Sequence, residues 1–187
     1  MSRRPSTDPS DTWTSHERVR TGEEICILPL RADDREREIA FINSLSERTV
    51  YFRLFTPMKL LPPHVLEQLM VIDYDDRMVF VATVQTEAGE QFVGVARYAR
   101  TKQGDAAEIG ITVTDAWQRR GIARLLLARL MQYARTKGIR RMIGFVLPEN
   151  HPMLCLARAV GFEVHLQSGS GLYEISCDLT AASIQAH

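Results

Sequence analysis

Between Ala106 and Gly138 an alternating apolar segment runs directly into an amphipathic one, and that junction limits the folds open to this chain. Ala107, Ile109, Ile111 and Val113 recur at every second position, the period of a strand with one buried face. From Arg119 to Lys137 the period lengthens. Leu125, Leu126, Leu130, Tyr133 and Ala134 share one helical face, arginines take the other, and Gly138 stops the helix. The head of this helix carries QRRGIA, Gln118 to Ala123. Backbone N–H groups there lack intrahelical partners, and the positive end of the helix dipole adds to them. The spacing therefore predicts an anion site, with phosphate its usual occupant. Gly121 lets the backbone approach a ligand with no Cβ in the way, and Ala123 keeps the next turn slim.

The 187 residues are 45% hydrophobic, enough for one core without metal or disulfide support. Lys+Arg and Asp+Glu balance at 23 each, which argues against a polyanion binder. The local basic run (Arg119, Arg120, Arg124, Arg135, Lys137, Arg140, Arg141) lacks interleaved aromatics, so no nucleic-acid partner is expected. Cys26, Cys155 and Cys177 are scattered among apolar residues and read as buried free thiols in a reducing compartment. The histidines show no ligand spacing, and no metal is expected. No apolar run reaches the length of a membrane span, and the N-terminus has no signal-peptide core; a cytoplasmic protein without a membrane partner is expected.

Residues 1–22 are rich in Ser, Thr, Pro, Arg and Asp and read as a mobile N-terminal arm, with Trp13 its one residue suited to local docking. Residues 23–187 read as a single domain. A first strand lies near ICILPLR, followed by helices over RADDREREIAFINSL, SERTVYFRLF (capped by Ser46, ended by Pro57) and LPPHVLEQLMVI. A hairpin follows, Arg77–Thr86 and Gln91–Arg100 about an Ala88–Gly89 turn, then the strand Ala106–Val113 and the long helix. A strand at Ile139–Leu147, a helix over HPMLCLARAV and strands at Phe162–Leu166 and Leu172–Leu179 complete a mixed sheet with helices on its faces.

Three stretches resemble the GNAT superfamily of acyl-CoA N-acyltransferases: the strand ending at Val113, the Q/R-x-x-G-x-G/A loop at Gln118–Ala123, and the distal LPENHPMLCLARAVGFEV. LSERTVYFRLFTPMKLLPPHVLEQL and AEIGITVTDAWQRRGIARLLL look more narrowly like the catalytic domain of bacterial protein-lysine acetyltransferases. The resemblance implies an α/β (α+β) fold, a mostly antiparallel mixed sheet of six to seven strands with helices on both faces. It implies acetyl-CoA as cosubstrate, held by the backbone of Ile111 and Val113, by Gln118, Arg119, Arg120, Gly121, Ile122, Ala123 and Arg124, and by Asn150. A protein lysine is the implied acceptor, an acyl-CoA synthetase is among the implied partners, and oligomerisation is left open.

An alkylammonium with a pKa near roughly 10 must lose a proton before it can attack a thioester. Glu108, on the strand feeding the loop and beside Gly110, is the candidate base, expected to be partly buried; the resemblance implies the same residue. The oxyanion would take a backbone N–H near Val113. Many superfamily members carry a tyrosine four residues before the distal Gly-Phe as general acid, where this chain has Ala157. Asn150 reads equally as a helix N-cap. A small amine as acceptor and a non-catalytic acyl-CoA-sensing module are the alternative readings.

Overall fold

The computed structural model describes residues 9–55 and 62–180. Among these, strands β1 (Ser15–Arg18), β2 (Glu24–Pro29), β3 (Arg77–Thr86), β4 (Gly89–Arg100), β5 (Ala106–Val113), β6 (Arg141–Val146), β7 (Glu163–Leu166) and β8 (Tyr173–Asp178) form one sheet in the order β1-β2-β3-β4-β5-β6-β8-β7. Every neighbouring pair is antiparallel except β5 and β6. Helices α1 (Ser10–Trp13), α2 (Arg35–Asn43), α3 (Glu47–Leu54), α4 (Pro63–Leu69), α5 (Ile122–Thr136) and α6 (His151–Ala159) complete it.

The two sheet faces are buried differently because the strand alternation sorts side chains between them. Met78, Phe80 and Ala82 of β3, with Ala107 and Ile109 of β5, join the larger core with Leu126, Leu127 and Leu130 of α5. Gly94 permits the close approach of α5: a Cβ there would stand 3.0 Å from both Ile122 and Leu126. On the other face Val79, Val81 and Val95 pack with Leu30 and with Phe41 of α2. Glu108 and Gly110 of β5 look toward this second face, opposite the core positions Ala107 and Ile109.

Several expectations need correction. The sheet has eight strands rather than six or seven, because the segment read as a mobile arm contributes one. Ser15 to Arg18 pair with Glu24 to Ile27, and the Trp13 ring meets Tyr133 edge-on at 4.9 Å and Phe80 at 6.2 Å. Composition missed this because a backbone ladder and one aromatic anchor supply what the polar side chains lack. Residues 1–8 lie outside the described residues, as does Pro57. The long helix starts at Ile122, not Arg119. Arg119 (φ 61°) and Gly121 (φ 97°) are both left-handed, which keeps them out of a right-handed helix. The β3–β4 turn is Glu87–Ala88, since Thr86 pairs with Gly89. Cys177 is buried as expected, but Cys26 is half-buried and Cys155 exposed.

Candidate active site

The parallel ladder between β5 and β6 is short. Ala106, Ala107 and Glu108 pair with Arg141, Met142 and Ile143, and beyond that rung the strands part. β5 continues to Val113 against β4, and β6 to Val146 against β8, so a wedge opens between them. The edge of Ile109–Val113 facing the wedge carries no ladder, which leaves backbone groups for a ligand. At the wide end β5 leads into the loop Gln118–Gly121 and the head of α5. Gly121 is the N-cap, left-handed and without a side-chain capping bond. Among the described residues its Cβ position would have only the Arg20 methylenes nearby, at 3.7 and 3.8 Å.

The residues predicted for an anion occupy this loop but do not all offer side chains to it. Gln118 donates from Nε2 to the Val113 carbonyl (3.1 Å) and to Thr49 Oγ1 (3.3 Å). Arg120 pairs with Glu23, donates to the Ala116 carbonyl at 3.0 Å and lies over the Trp117 ring at 4.6 Å. These two side chains hold the loop in shape, which leaves its backbone N–H groups as the part that faces an anion. Ile122 is buried in the core and Ala123 half-buried, leaving their N–H groups to contribute. Arg119 and Arg124 are exposed, Ile111 is half-buried and Val113 buried. Asn150, across the wedge, caps α6 by accepting from the Met153 N–H at 3.3 Å. Its side-chain NH2 is therefore the part left for a ligand.

Glu108 occupies the last rung before the strands part, and its side chain is exposed rather than partly buried. It borders a cavity of about 320 Å³ on the α2–α4 face, with Arg53, Gln68, Arg97 and Arg100 among the other walls. Gly110 faces Arg97 across β4–β5, and a Cβ on it would fall 2.3 Å from Nη2 of Arg53. The Arg53 guanidinium thus lies flat on β5 where only glycine leaves room. Desolvation brings its pKa down to about 10, Arg97 acts in the same direction, and Glu108 and Glu38 oppose them. Behind it Arg97 pairs with Glu38 at 2.5 Å and donates to the Leu69 carbonyl at 2.8 Å. Glu38 is fully buried, and among the described residues its Oε2 has no hydrogen-bond partner.

Helix α3 ties these parts together. Asp115 accepts from Ser46 Oγ (2.7 Å), Ser46 N (3.1 Å) and Thr49 Oγ1 (3.0 Å), and Tyr51 donates to Glu149 at 3.0 Å. One short helix is therefore fastened to the exit of β5 on one side of the wedge and to the approach to α6 on the other. Sequence reasoning missed Arg53, Arg97 and Glu38, which look like ordinary charged residues of amphipathic segments. The available signal was Gly110, since a glycine inside a strand marks a close approach.

Residues 45–162 match the model of the acetyltransferase (GNAT) family. The chain belongs to the GNAT acetyltransferase family. An acetyltransferase of Pseudomonas aeruginosa is 38% identical over 152 residues, 81% of each chain. The acetyltransferase Pat of Mycolicibacterium smegmatis is 33% identical over 136 residues, 72% of this chain but 40% of that protein. The solved GNAT domain of S. lividans PAT superposes with a TM-score of 0.82 at 30% identity, covering 89% of this chain and 97% of that one. As a GNAT acetyltransferase the protein has its expected sheet class and enzyme class. The tyrosine that many GNAT enzymes use as acid is replaced by Ala157, which is fully buried.

Proposed function

We propose that this GNAT enzyme moves the acetyl group of acetyl-CoA to the side-chain amine of a lysine in another protein, with Glu108 as the base. The amine nitrogen attacks the thioester carbonyl carbon, its proton passes to Glu108, and the C–S bond breaks to release the coenzyme A thiolate. A thiolate leaves without full protonation, so the absence of a tyrosine at Ala157 does not block the step. The backbone N–H groups of Ile111 and Val113, the N–H groups of the loop Arg119–Arg124 and the Asn150 amide are the groups available to hold the coenzyme.

The observation that carries this reading is the position of Glu108. It occupies the rung at which β5 and β6 separate, and its side chain borders the cavity on the opposite sheet face. A thioester in the wedge and an amine in the cavity would meet at that carboxylate. Similarity to Pat and to the PAT domain supports a protein acceptor, and an acyl-CoA synthetase belongs among the acceptors to try. A small-amine acceptor is the second reading, favoured by the volume of the cavity, about 320 Å³, which suits a small molecule.

The test is transfer from isotope-labelled acetyl-CoA to lysate proteins and to a panel of small amines, read by mass spectrometry. Labelled lysines are expected. Label on small amines alone would select the second reading, and thioester binding without transfer would indicate a sensor. Glu108→Gln should lower turnover by roughly 10²–10⁴ with acetyl-CoA affinity nearly unchanged. Unaltered turnover would reassign the base.

A further inference from the structure

The cavity beside Glu108 has a charge balance that a simple ammonium does not match. Among the described residues its walls carry Arg53, Arg77, Arg97 and Arg100 against the single carboxylate of Glu108. Arg97 is matched by Glu38 and Arg100 by Asp76, at 2.5 and 2.8 Å. Arg53 and Arg77 then face one carboxylate, so the cavity keeps an excess of positive charge. An alkylammonium entering alone would be drawn to Glu108 and repelled by its neighbours.

Arg53 makes the imbalance specific. Among the described residues no acceptor lies within hydrogen-bond reach of its guanidinium, which is half-buried against β5 at Gly110. A half-buried guanidinium with unused donors is better satisfied when an anion completes it. Glu38 acts on Arg53 only through its field: it makes its ion pair with Arg97 instead. Arg53 is also held in place: it rests on Gly110, two residues along the strand from Glu108 and on the same face. Two strand residues span roughly 6–7 Å, so the base and the cation stand one small zwitterion apart.

We infer that the acceptor carries a carboxylate close to its amine, and that Arg53, backed by Arg97, receives this carboxylate while Glu108 faces the amine. This rests on the acetyltransferase reading above and names the acceptor class. The carboxylate has two sources of the same chemistry: an acidic side chain flanking a lysine, or the α-carboxylate of a free amino acid.

The experiment compares matched acceptors at saturating acetyl-CoA. One pair is a lysine peptide flanked by Asp and the same peptide flanked by Asn; the other is a free amino acid and its carboxamide. The wild-type enzyme should favour the acidic member of at least one pair by about 10–100-fold in kcat/KM, the worth of a hydrogen bond to a charged group. The pair that shows the preference identifies the source. Arg53→Gln should bring that ratio close to one, and Arg53→Lys should keep part of it. A wild-type ratio within twofold for both pairs overturns the inference. So does an Arg53→Gln enzyme that slows on both members equally and keeps the ratio, which would make Arg53 a structural residue. If no amine is acetylated, the acetyltransferase reading fails, and calorimetry on the coenzyme A-loaded protein decides this inference instead. Binding of the acidic member at least tenfold tighter than the neutral one upholds it, and equal binding refutes it.

Discussion

Replacing Trp13 by alanine tests whether the first described residues belong to the folded unit. Trp13 is half-buried and makes ring contacts with Tyr133 at 4.9 Å and Phe80 at 6.2 Å, both residues of the main core. Truncating a fully buried tryptophan costs about 3–5 kcal/mol, and half burial scales this to about 2 kcal/mol. Aromatic pairing adds about 0.5–1.5 kcal/mol beyond the buried area, so a total of about 2–3 kcal/mol is expected. For a domain of this size each kcal/mol lowers Tm by about 2–4 °C, which places the variant about 4–12 °C below wild type. Thermal unfolding followed by circular dichroism reads the shift directly. A Tm within 1 °C of wild type would mean that Trp13 does not hold its segment on the core, and the segment would return to being a loose arm.

Two further changes probe the loop and its fastening. Gly121→Glu puts a side chain and a negative charge at a left-handed N-cap (φ 97°), and acetyl-CoA binding measured by calorimetry should be lost; retained binding would move the anion site elsewhere. Burial alone would raise the Asp115 pKa, but hydrogen bonds from Ser46 and Thr49 prevail and hold it below the ordinary carboxylate value. A carboxyl depressed on folding stabilises above its unfolded pKa of about 3.9, and that contribution fades as pH falls through the folded value. The Tm gap between wild type and Asp115→Asn should therefore be full at neutral pH and close in acid. A gap that stays constant with pH would show that the Asp115 charge does not matter.

The sheet class and the place of the long helix were legible because strand and helix periods change abruptly around Val113 and Ile122, and Gly121 marks the break. The contiguous loop was legible for the same reason. Which of its side chains are engaged within the protein was not, since Gln118 and Arg120 bond to Thr49 and Glu23, partners far away in the chain. The position of Glu108 on its strand followed from alternation, but its exposure did not, because that depends on the space that residues of α3 and α4 leave beside it. Arg53 was out of reach of sequence reasoning: its role comes from a contact with Gly110, more than fifty residues on, and nothing local distinguishes it from a surface arginine. Trp13 was named as the anchor of its segment, while the strand behind it needed β2 as a template.

Three rungs join the five-stranded half of this sheet to its three-stranded half. The protein therefore has a built-in fault line, stitched at one end and open at the other. A molecule that slots into the open end and bonds to both banks acts as the missing length of seam. Loading the donor would then be a mechanical event as well as a chemical one, extending the seam between two halves that otherwise share only three rungs and a common core before any amine arrives.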